Sequence, residues 1–360
     1  MKKSLIALAV LAAAGAASAQ SSVTLFGIVD ATLQYGRGSV SNKTQLGSSG
    51  YNSSRLGFRG TEDLGGGMSA SFWLEAGLNN DNGSGAATNT NNQSTGTSTA
   101  SAGTQGLTFN RRSTVSLGGG WGEVRLGRDY SPQFWNVTVF DPFGTNGVGT
   151  TMTMVAGAGG SGIGGVTAVR ASNSIGYFLP GNLGGFYGQL QVYLGENNRD
   201  SLATRKDGDG TGLRVGYANG PVNVAVAYAR TRYAAGDITQ ANVGGQWDFG
   251  VAKLMGQFAR DRVQAASNVT GKGWLIGGLV PVGPGEIRLS YSQYKTTAAG
   301  TPKSNKLALG YVHNLSKRTA VYTTYAHVRN RGGANLALNG SVTGANSNSS
   351  GFDFGVRHSF

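Results

Sequence analysis

The chain has 360 residues, including 61 Gly and 7 Pro but no Cys, which excludes disulfides and Cys-bound metals. The formal net charge of +13 comes from basic residues scattered singly, whereas nucleic-acid-binding proteins usually show a clustered basic face. Charged residues make up only 13%, about half the globular norm, and with the abundant Gly this composition is typical of a β protein with many tight turns.

Met1–Ala19 predicts a secretory signal peptide, which leaves residues 20–360 as the mature domain. Two lysines precede an apolar run, and Ala17-Ser18-Ala19 supplies the small residues of a cleavage site. The apolar run is too short to span a bilayer, and no later segment approaches the ~20 apolar residues of a transmembrane helix. An exported chain of this kind enters a membrane only as a closed barrel, which satisfies every backbone group.

From Ser22 onward, segments of about ten residues with alternating polar and apolar positions are separated by turn residues, as in transmembrane β-barrels. In one of them Arg55 and Arg59 lie on one face, while Leu56 and Phe58 lie on the other. We expect the arginines to face water inside the barrel and the apolar face to contact lipid. Sixteen such segments occur. Their predicted bounds are Val23–Tyr35, Ser54–Asp63, Met68–Leu78, Phe109–Leu117, Glu123–Arg128, Ala171–Leu179, Phe186–Leu194, Thr211–Ala218, Val222–Tyr233, Ile238–Trp247, Val251–Arg262, Gly273–Val280, Glu286–Tyr294, Lys306–His313, Arg318–Arg329 and Gly351–Phe360.

The connections alternate between short turns, such as the hairpin dipeptide Asn219-Gly220, and longer polar loops, such as Asn79–Gly106. That asymmetry is typical of outer-membrane barrels, whose periplasmic turns are short and whose external loops are long. A β-helix would show a fixed repeat period, and a soluble sandwich would need a clearer apolar core.

One connection, Asp129–Arg170, is 42 residues long and shows no sustained strand alternation. A loop of that length in a compact domain is usually functional or disordered, and its aromatic residues argue against disorder. These aromatics are Tyr130, Phe134, Trp135, Phe140 and Phe143. We expect the loop to fold into the barrel lumen and to set its narrowest point.

The last segment alternates up to the final residue of the chain, with Phe352, Phe354 and His358 among the residues that share the face of Phe360. An exposed flat edge strand would be an aggregation hazard. Pairing of this strand with the first one removes that hazard, so we expect the barrel to close there.

Taken together, these segments resemble the Gram-negative general porins, particularly the anion-selective trimers of β-proteobacteria. The resemblance spans the mature chain, and the matching stretches are Ser22–Asp30, Ser54–Gly65, Gly122–Arg128, Gly310–Thr319 and Gly355–Phe360. It implies an all-β fold, a 16-stranded antiparallel transmembrane β-barrel with a long, inward-folded third external loop. It also implies a homotrimer in the outer membrane of a Gram-negative bacterium, in contact with outer-membrane lipid and lipopolysaccharide. The terminal Phe360 is similar to the signal read by the outer-membrane assembly machinery.

By position, the resemblance implies that Arg55, Arg111 and Arg170 line the pore constriction, with Arg59 further along the face of Arg55. Strand alternation counted from the lipid-facing side instead places Arg112 in the lumen, so both alternatives stay open. The loop contains only two acids, Asp129 at the strand junction and Asp141 facing the arginines, so we expect a positive constriction. In the alternative interpretation, the arginines only brace the loop through its carbonyl groups.

The sequence therefore predicts an outer-membrane porin, a passive diffusion channel for small hydrophilic solutes, anionic and neutral, with anion preference. The alternative is a surface adhesin or structural barrel with little conductance. We expect no enzyme activity, because none of the three His residues adjoins a Ser or an acid in a hydrolase motif. We expect no cofactor and no nucleic-acid partner. Asp207–Gly210 looks like part of a calcium loop but lacks the downstream Glu ligand, so no metal site is predicted either.

Overall fold

The computed structural model describes residues 22–85, 92, 106–151, 165–197, 204–264 and 268–360. The predicted signal peptide lies outside these residues. The described part contains 18 strands and one short helix, α1 (Pro132–Val139). The strands are β1 (Ser22–Arg37), β2 (Lys43–Ser48), β3 (Arg55–Gly65), β4 (Met68–Asn79), β5 (Ser84–Gly85), β6 (Arg112–Gly119), β7 (Gly122–Tyr130), β8 (Arg170–Phe178), β9 (Phe186–Tyr193), β10 (Gly210–Asn219), β11 (Val222–Thr231), β12 (Ile238–Asp248), β13 (Lys253–Val263), β14 (Val269–Val282), β15 (Gly285–Thr296), β16 (Lys303–Asn314), β17 (Thr319–Arg331) and β18 (Ser349–Ser359).

Sixteen of these strands form a closed antiparallel barrel, which confirms the predicted fold. Each wall strand pairs with its neighbour along the chain, and β18 pairs with β1 from Ile28↔Ser359 to Arg37↔Ser350. The other two strands, β2 and β5, are short and lie in external loops, where β2 pairs with the outer half of β1 and β5 pairs with β4. Closure leaves no unpaired sheet edge within the membrane.

Side-chain alternation follows from the two-residue pleat of each strand. In β18, for example, Asp353 is fully buried, whereas Phe352 and Phe354 are exposed on the outer face, as the sequence predicted. The same alternation places most large apolar side chains on the outside, against lipid, and small or polar side chains on the inside. In the described residues, no helix is long and apolar enough to cross a bilayer.

The short connections are tight turns. Asn219 pairs with Val222 across the predicted hairpin, and Gly220 adopts a φ of 55°, a left-handed conformation that Gly adopts without strain. The terminal residue Phe360 pairs its backbone N–H and C=O with those of Gly27, at 3.1 Å each. Its ring lies so close to Gly27 that a Cβ there would come within 2.3 Å of the Phe360 ring.

The described part of the long third loop packs inside the barrel, as predicted, although its helix was not expected from the sequence. The helix α1 begins with Pro at its first position, where a missing N–H costs nothing. Asn136 donates a hydrogen bond from Nδ2 to the backbone O of Ala225 at 3.2 Å, which attaches the helix to β11. Beyond the helix, Phe143 and Val148 join a buried apolar cluster with residues of β15–β17 and the following loop. The core of the molecule is therefore the contact between this loop and the inner wall.

Candidate functional site

The inner wall opposite the loop helix is built by β3, β4, β6, β7 and β8. Register places Arg55 across from Gly77, Arg59 across from Trp73, and Glu75 across from Arg112, so all these side chains share the inner face. The strand alternation read from the sequence thus holds for Arg55 and Arg59. Seven of the arginines on or beside this wall lie close to one another.

Glu75 lies at the centre of this group and is 5% exposed. Its Oε1 accepts hydrogen bonds from Arg55 Nη1 at 3.2 Å and from Arg111 Nε at 2.5 Å. Its Oε2 accepts one from Trp73 Nε1 at 3.0 Å. A buried carboxylate with three donors holds the two guanidinium groups in fixed positions, because charge-assisted hydrogen bonds are strong and directional.

Tyr130 joins the wall to the start of the long loop. Its hydroxyl oxygen lies 2.8 Å from Arg111 Nη2 and 3.0 Å from Arg170 Nη2. The Arg170 guanidinium also stacks over the Tyr130 ring, 4.5 Å from the centroid, and donates from Nε to the backbone O of Arg111 at 2.8 Å. Phe134, in the loop helix, stacks on this ring at 4.9 Å between centroids. The arginines thus both line the wall and brace the loop.

The structure places both Arg111 and Arg112 on the inner side, which removes the ambiguity left by the sequence. Val115 and Leu117 are exposed on the outer face, so alternation turns Arg112 inward. Arg111 precedes the first residue of β6 and is not bound by the pleat, so its side chain also reaches Glu75.

Trp73 contacts two further guanidinium groups. Arg112 lies 4.6 Å and Arg59 5.2 Å from its ring centroid, and Arg59 also lies 5.3 Å from the Phe26 centroid. Arg112 approaches Asp129 at 3.8 Å, whereas Arg59 takes part in no ion pair among the described residues and is exposed. Aromatic faces attract these cations without cancelling their charge.

A second acidic pair flanks the group. Arg125 contacts Glu123 at 3.0 Å and Asp129 at 2.5 Å, and stacks 4.0 Å from the Phe178 ring centroid. Among the described residues, seven arginines and four carboxylates therefore lie on or beside this wall, a formal excess of three positive charges. The arginines are Arg55, Arg59, Arg111, Arg112, Arg125, Arg128 and Arg170, and the acids are Asp63, Glu75, Glu123 and Asp129.

Asp141 differs from its predicted place opposite the arginines. It is buried in the loop, where its carboxylate accepts hydrogen bonds from Phe143 N at 2.8 Å, Thr151 N at 2.8 Å and Thr151 Oγ1 at 2.6 Å. Burial raises the pKa of the Asp141 carboxyl above its ordinary value, although these hydrogen bonds act in the other direction. Lys306, fully buried on β16, donates to the backbone O of Val148 and of Thr150. Asp141 therefore stabilises the loop from within and contacts other loop residues rather than the arginines.

Sequence reasoning missed Glu75, Trp73 and Tyr130 as parts of the site. For Glu75 a signal existed, because Phe72 and Leu74 on the lipid face imply an inward residue 75. The prediction of a positive constriction counted only the acids of the loop and left out the acids of the wall, such as Glu75. Among the described residues, no group of three His, Asp or Glu side chains is arranged to hold a metal ion.

Comparison with known proteins places this geometry in context. A family model described as Gram-negative porin matches residues 5–333. The chain is 40% identical over 377 residues to outer membrane porin protein 32 of Delftia acidovorans, covering 100% of both proteins. It is 29% identical over 392 residues to an outer membrane porin protein of Bordetella pertussis, covering 92% of this chain and 95% of that protein.

Solved structures agree with these sequence matches. An anion-selective porin from Comamonas acidovorans superimposes with a TM-score of 0.81 at 36% identity, covering 95% of this chain and 100% of that one. The trimer form of OmpT from Vibrio cholerae superimposes with a TM-score of 0.63, covering 94% of this chain and 99% of that one. At 13% identity the second match shows the fold alone.

Proposed function

The chain belongs to the Gram-negative porin family, and from that premise we propose that its inner wall of arginines makes it an anion-preferring channel. It is an outer-membrane porin, a passive diffusion channel for small hydrophilic solutes. The similar structure from Comamonas acidovorans is described as an anion-selective porin. For this chain, the proposed source of an anion preference is its own inner wall.

The observation that carries the proposal is the excess of three positive charges among the described residues on and beside one wall of the lumen. Guanidinium groups stay protonated at any physiological pH, so crowding cannot remove their charge. Fixed charges that line a low-dielectric cleft raise the local concentration of counter-ions, and rings of Arg or Lys select anions in pores.

Glu75 has a positioning role in this proposal. It cancels one positive charge, but it also fixes Arg55 and Arg111 where their mutual repulsion would otherwise separate them. The stacking rings of Trp73 and Tyr130 hold Arg112 and Arg170 at no cost in charge. Bracing of the loop by Arg170 is compatible with this role, because its guanidinium remains positive while it donates hydrogen bonds.

Reversal potentials test the proposal. Purified protein in a planar bilayer should give stepwise currents, and a KCl gradient should show that chloride passes more readily than potassium. The preference should weaken as the salt concentration rises, since the Debye length falls from about 10 Å at 0.1 M to about 3 Å at 1 M. Cation preference would refute the arginine mechanism. Silence in several salts and lipids would instead favour an adhesin or structural barrel.

We also propose that the chain forms a homotrimer. The structurally similar OmpT of Vibrio cholerae is described in a trimer form, and the resemblance to trimeric porins noted from the sequence points the same way. Sedimentation in mild detergent should give a trimer mass, and a purely monomeric species under all detergents would contradict this.

A further inference from the structure

Four aromatic side chains face the lumen in the periplasmic half of the inner wall. They are Phe26, Trp73, Phe178 and Tyr187, on β1, β4, β8 and β9, and all four are half-buried. The strand pleat turns them inward, since Leu25, the neighbour of Phe26, is 55% exposed on the outer face. Barrels of this kind usually have a polar interior, so partly open rings on one side of the lumen point to contact with a solute.

Each of these rings carries an arginine. Measured from the guanidinium carbon to the ring centroid, the pairs are Arg59–Phe26 at 5.3 Å, Arg59–Trp73 at 5.2 Å, Arg112–Trp73 at 4.6 Å, Arg125–Phe178 at 4.0 Å and Arg214–Tyr187 at 4.7 Å. Positive charge alone is enough to attract chloride. This wall offers more than charge, because every one of these arginines has an aromatic surface beside it.

Two of the pairs share one construction. Phe26 stands directly opposite Gly57 on the neighbouring strand, and a Cβ on Gly57 would come within 2.3 Å of the Phe26 ring. Tyr187 stands opposite Gly216 in the same way, at 2.2 Å. In both cases the arginine is two residues from that glycine, on the same strand and the same face. The missing side chain lets the ring lie across the glycine, and the guanidinium group lies over the ring.

The unit around Arg59 is the most open to the lumen. Arg59 is exposed, whereas the other described arginines of this wall are half-buried, and it takes part in no ion pair among the described residues. The neighbouring Arg112 side chain is 19% exposed, and both guanidinium groups contact Trp73. A guanidinium group is planar, so a group with one face over a wall ring keeps its other face and its N–H edge for a solute.

We propose that Phe26, Arg59, Trp73 and Arg112 form a binding strip for aromatic carboxylates, the chemical class of benzoate, as they pass through the lumen. The carboxylate accepts charge-assisted hydrogen bonds from the guanidinium edges. The planar ring of the solute stacks on the open face of Arg59 and contacts the open parts of the two wall rings. A saturated carboxylate of equal charge has no π face and gains only the hydrogen bonds and apolar contact.

The inference rests on the anion preference proposed above, because the strip belongs to the same arginine wall. It adds a solute class, and it gives Phe26 and Trp73 a role in specificity. Rings that served only to hold the arginines in place would affect chloride and every carboxylate alike. A difference between an aromatic and a saturated carboxylate therefore separates recognition from simple support of the arginines.

Current block in planar bilayers tests this inference. Chloride currents through the wild-type channel are measured in dilute KCl while potassium benzoate or potassium cyclohexanecarboxylate is added. The two anions have the same charge and nearly the same size, and only benzoate has a planar π system. We expect benzoate to reach half-maximal block at a concentration about fivefold lower, which corresponds to about 1 kcal/mol, within the range of a stacked aromatic pair.

Two variants and a matched control locate the effect. Phe26→Leu keeps an apolar side chain but removes a ring, and Arg59→Lys keeps the charge but removes the planar face. In each variant the ratio of the two blocking concentrations should fall below about twofold. Phe58→Leu is the control, because Phe58 adjoins Arg59 on β3 but faces lipid opposite Leu25, and it should keep the wild-type ratio. Heat-modified gel mobility shows that each variant is folded.

Equal block by the two anions in wild type would overturn the proposal. A wild-type ratio in both Phe26→Leu and Arg59→Lys would also overturn it, as would an equal fall in Phe58→Leu. The ratio compares anions of equal charge, so it is measured independently of the preference for chloride over potassium. A chloride-preferring channel that both anions block equally would remove the aromatic recognition alone. A cation-preferring channel with the fivefold ratio would contradict the anion preference and still support the aromatic recognition.

Discussion

Arg59 offers the sharpest test of the ion preference. It is exposed on the inner wall, has no ion pair among the described residues, and is held by the rings of Phe26 and Trp73. Arg55, Arg111 and Arg170 each brace other groups, so replacing them would confuse lost charge with lost structure. Arg59→Gln removes one unit of charge, and Arg59→Glu changes two.

The size of the effect follows from Coulomb's law. A unit charge about 7 Å from a permeating ion in water is worth about 0.6 kcal/mol, and screening at 0.1 M salt roughly halves it. The change acts in opposite directions on chloride and potassium, so their permeability ratio shifts by about 0.6 kcal/mol per charge, or nearly threefold. We expect Arg59→Gln to lower chloride preference about threefold and Arg59→Glu about eightfold.

Reversal potentials of single channels in a tenfold KCl gradient measure this ratio. Lys317→Gln and Lys317→Glu are matched controls, because Lys317 is exposed in a periplasmic turn and the same charge is lost away from the inner wall. The Arg59 effect should nearly vanish in 1 M salt. A reversal potential that stays at the wild-type value in Arg59→Glu, or an equal shift in the Lys317 variants, would contradict the proposed role of Arg59.

Three other changes have defined outcomes. Glu75→Gln should increase chloride preference, and it should lower the free energy of unfolding by about 3 kcal/mol, because a broken buried ion pair leaves Arg55 and Arg111 uncompensated. Urea titration in detergent measures the change in stability, and unchanged stability would contradict the positioning role of Glu75. Lys306→Met removes the buried donor to two loop carbonyl groups, so the loop should move more and single-channel currents should fluctuate more than in wild type. Currents as quiet as those of wild type would show that other contacts hold the loop. Deletion of Phe360 removes two backbone hydrogen bonds where β18 closes against β1, so the amount of folded protein in the outer membrane should fall while export continues. Normal surface levels of the shortened protein would contradict a role of Phe360 in assembly.

The barrel architecture follows from local patterns in the sequence. The two-residue alternation of its segments, the turn residues between them and the long polar loops specify sixteen wall strands, and the structure confirms all sixteen. It also determined which way Arg55, Arg59 and Phe354 point, since a residue's face follows from its position within its own strand. These are local properties of the chain.

Which side chains contact one another depends on how the strands pair in the folded barrel. Glu75 reaches Arg111, 36 positions away, because β4 and β6 are paired, and no local pattern specifies that contact. Asp141 was expected opposite the arginines but is buried among loop atoms, since the course of an irregular loop depends on the wall against which it packs. On the outer face, Arg260, Lys272 and Lys295 are far apart in sequence and stand side by side only because β13, β14 and β15 pair in this register. A register is set by the whole closed barrel, because each strand must satisfy the hydrogen bonds of both neighbours at once.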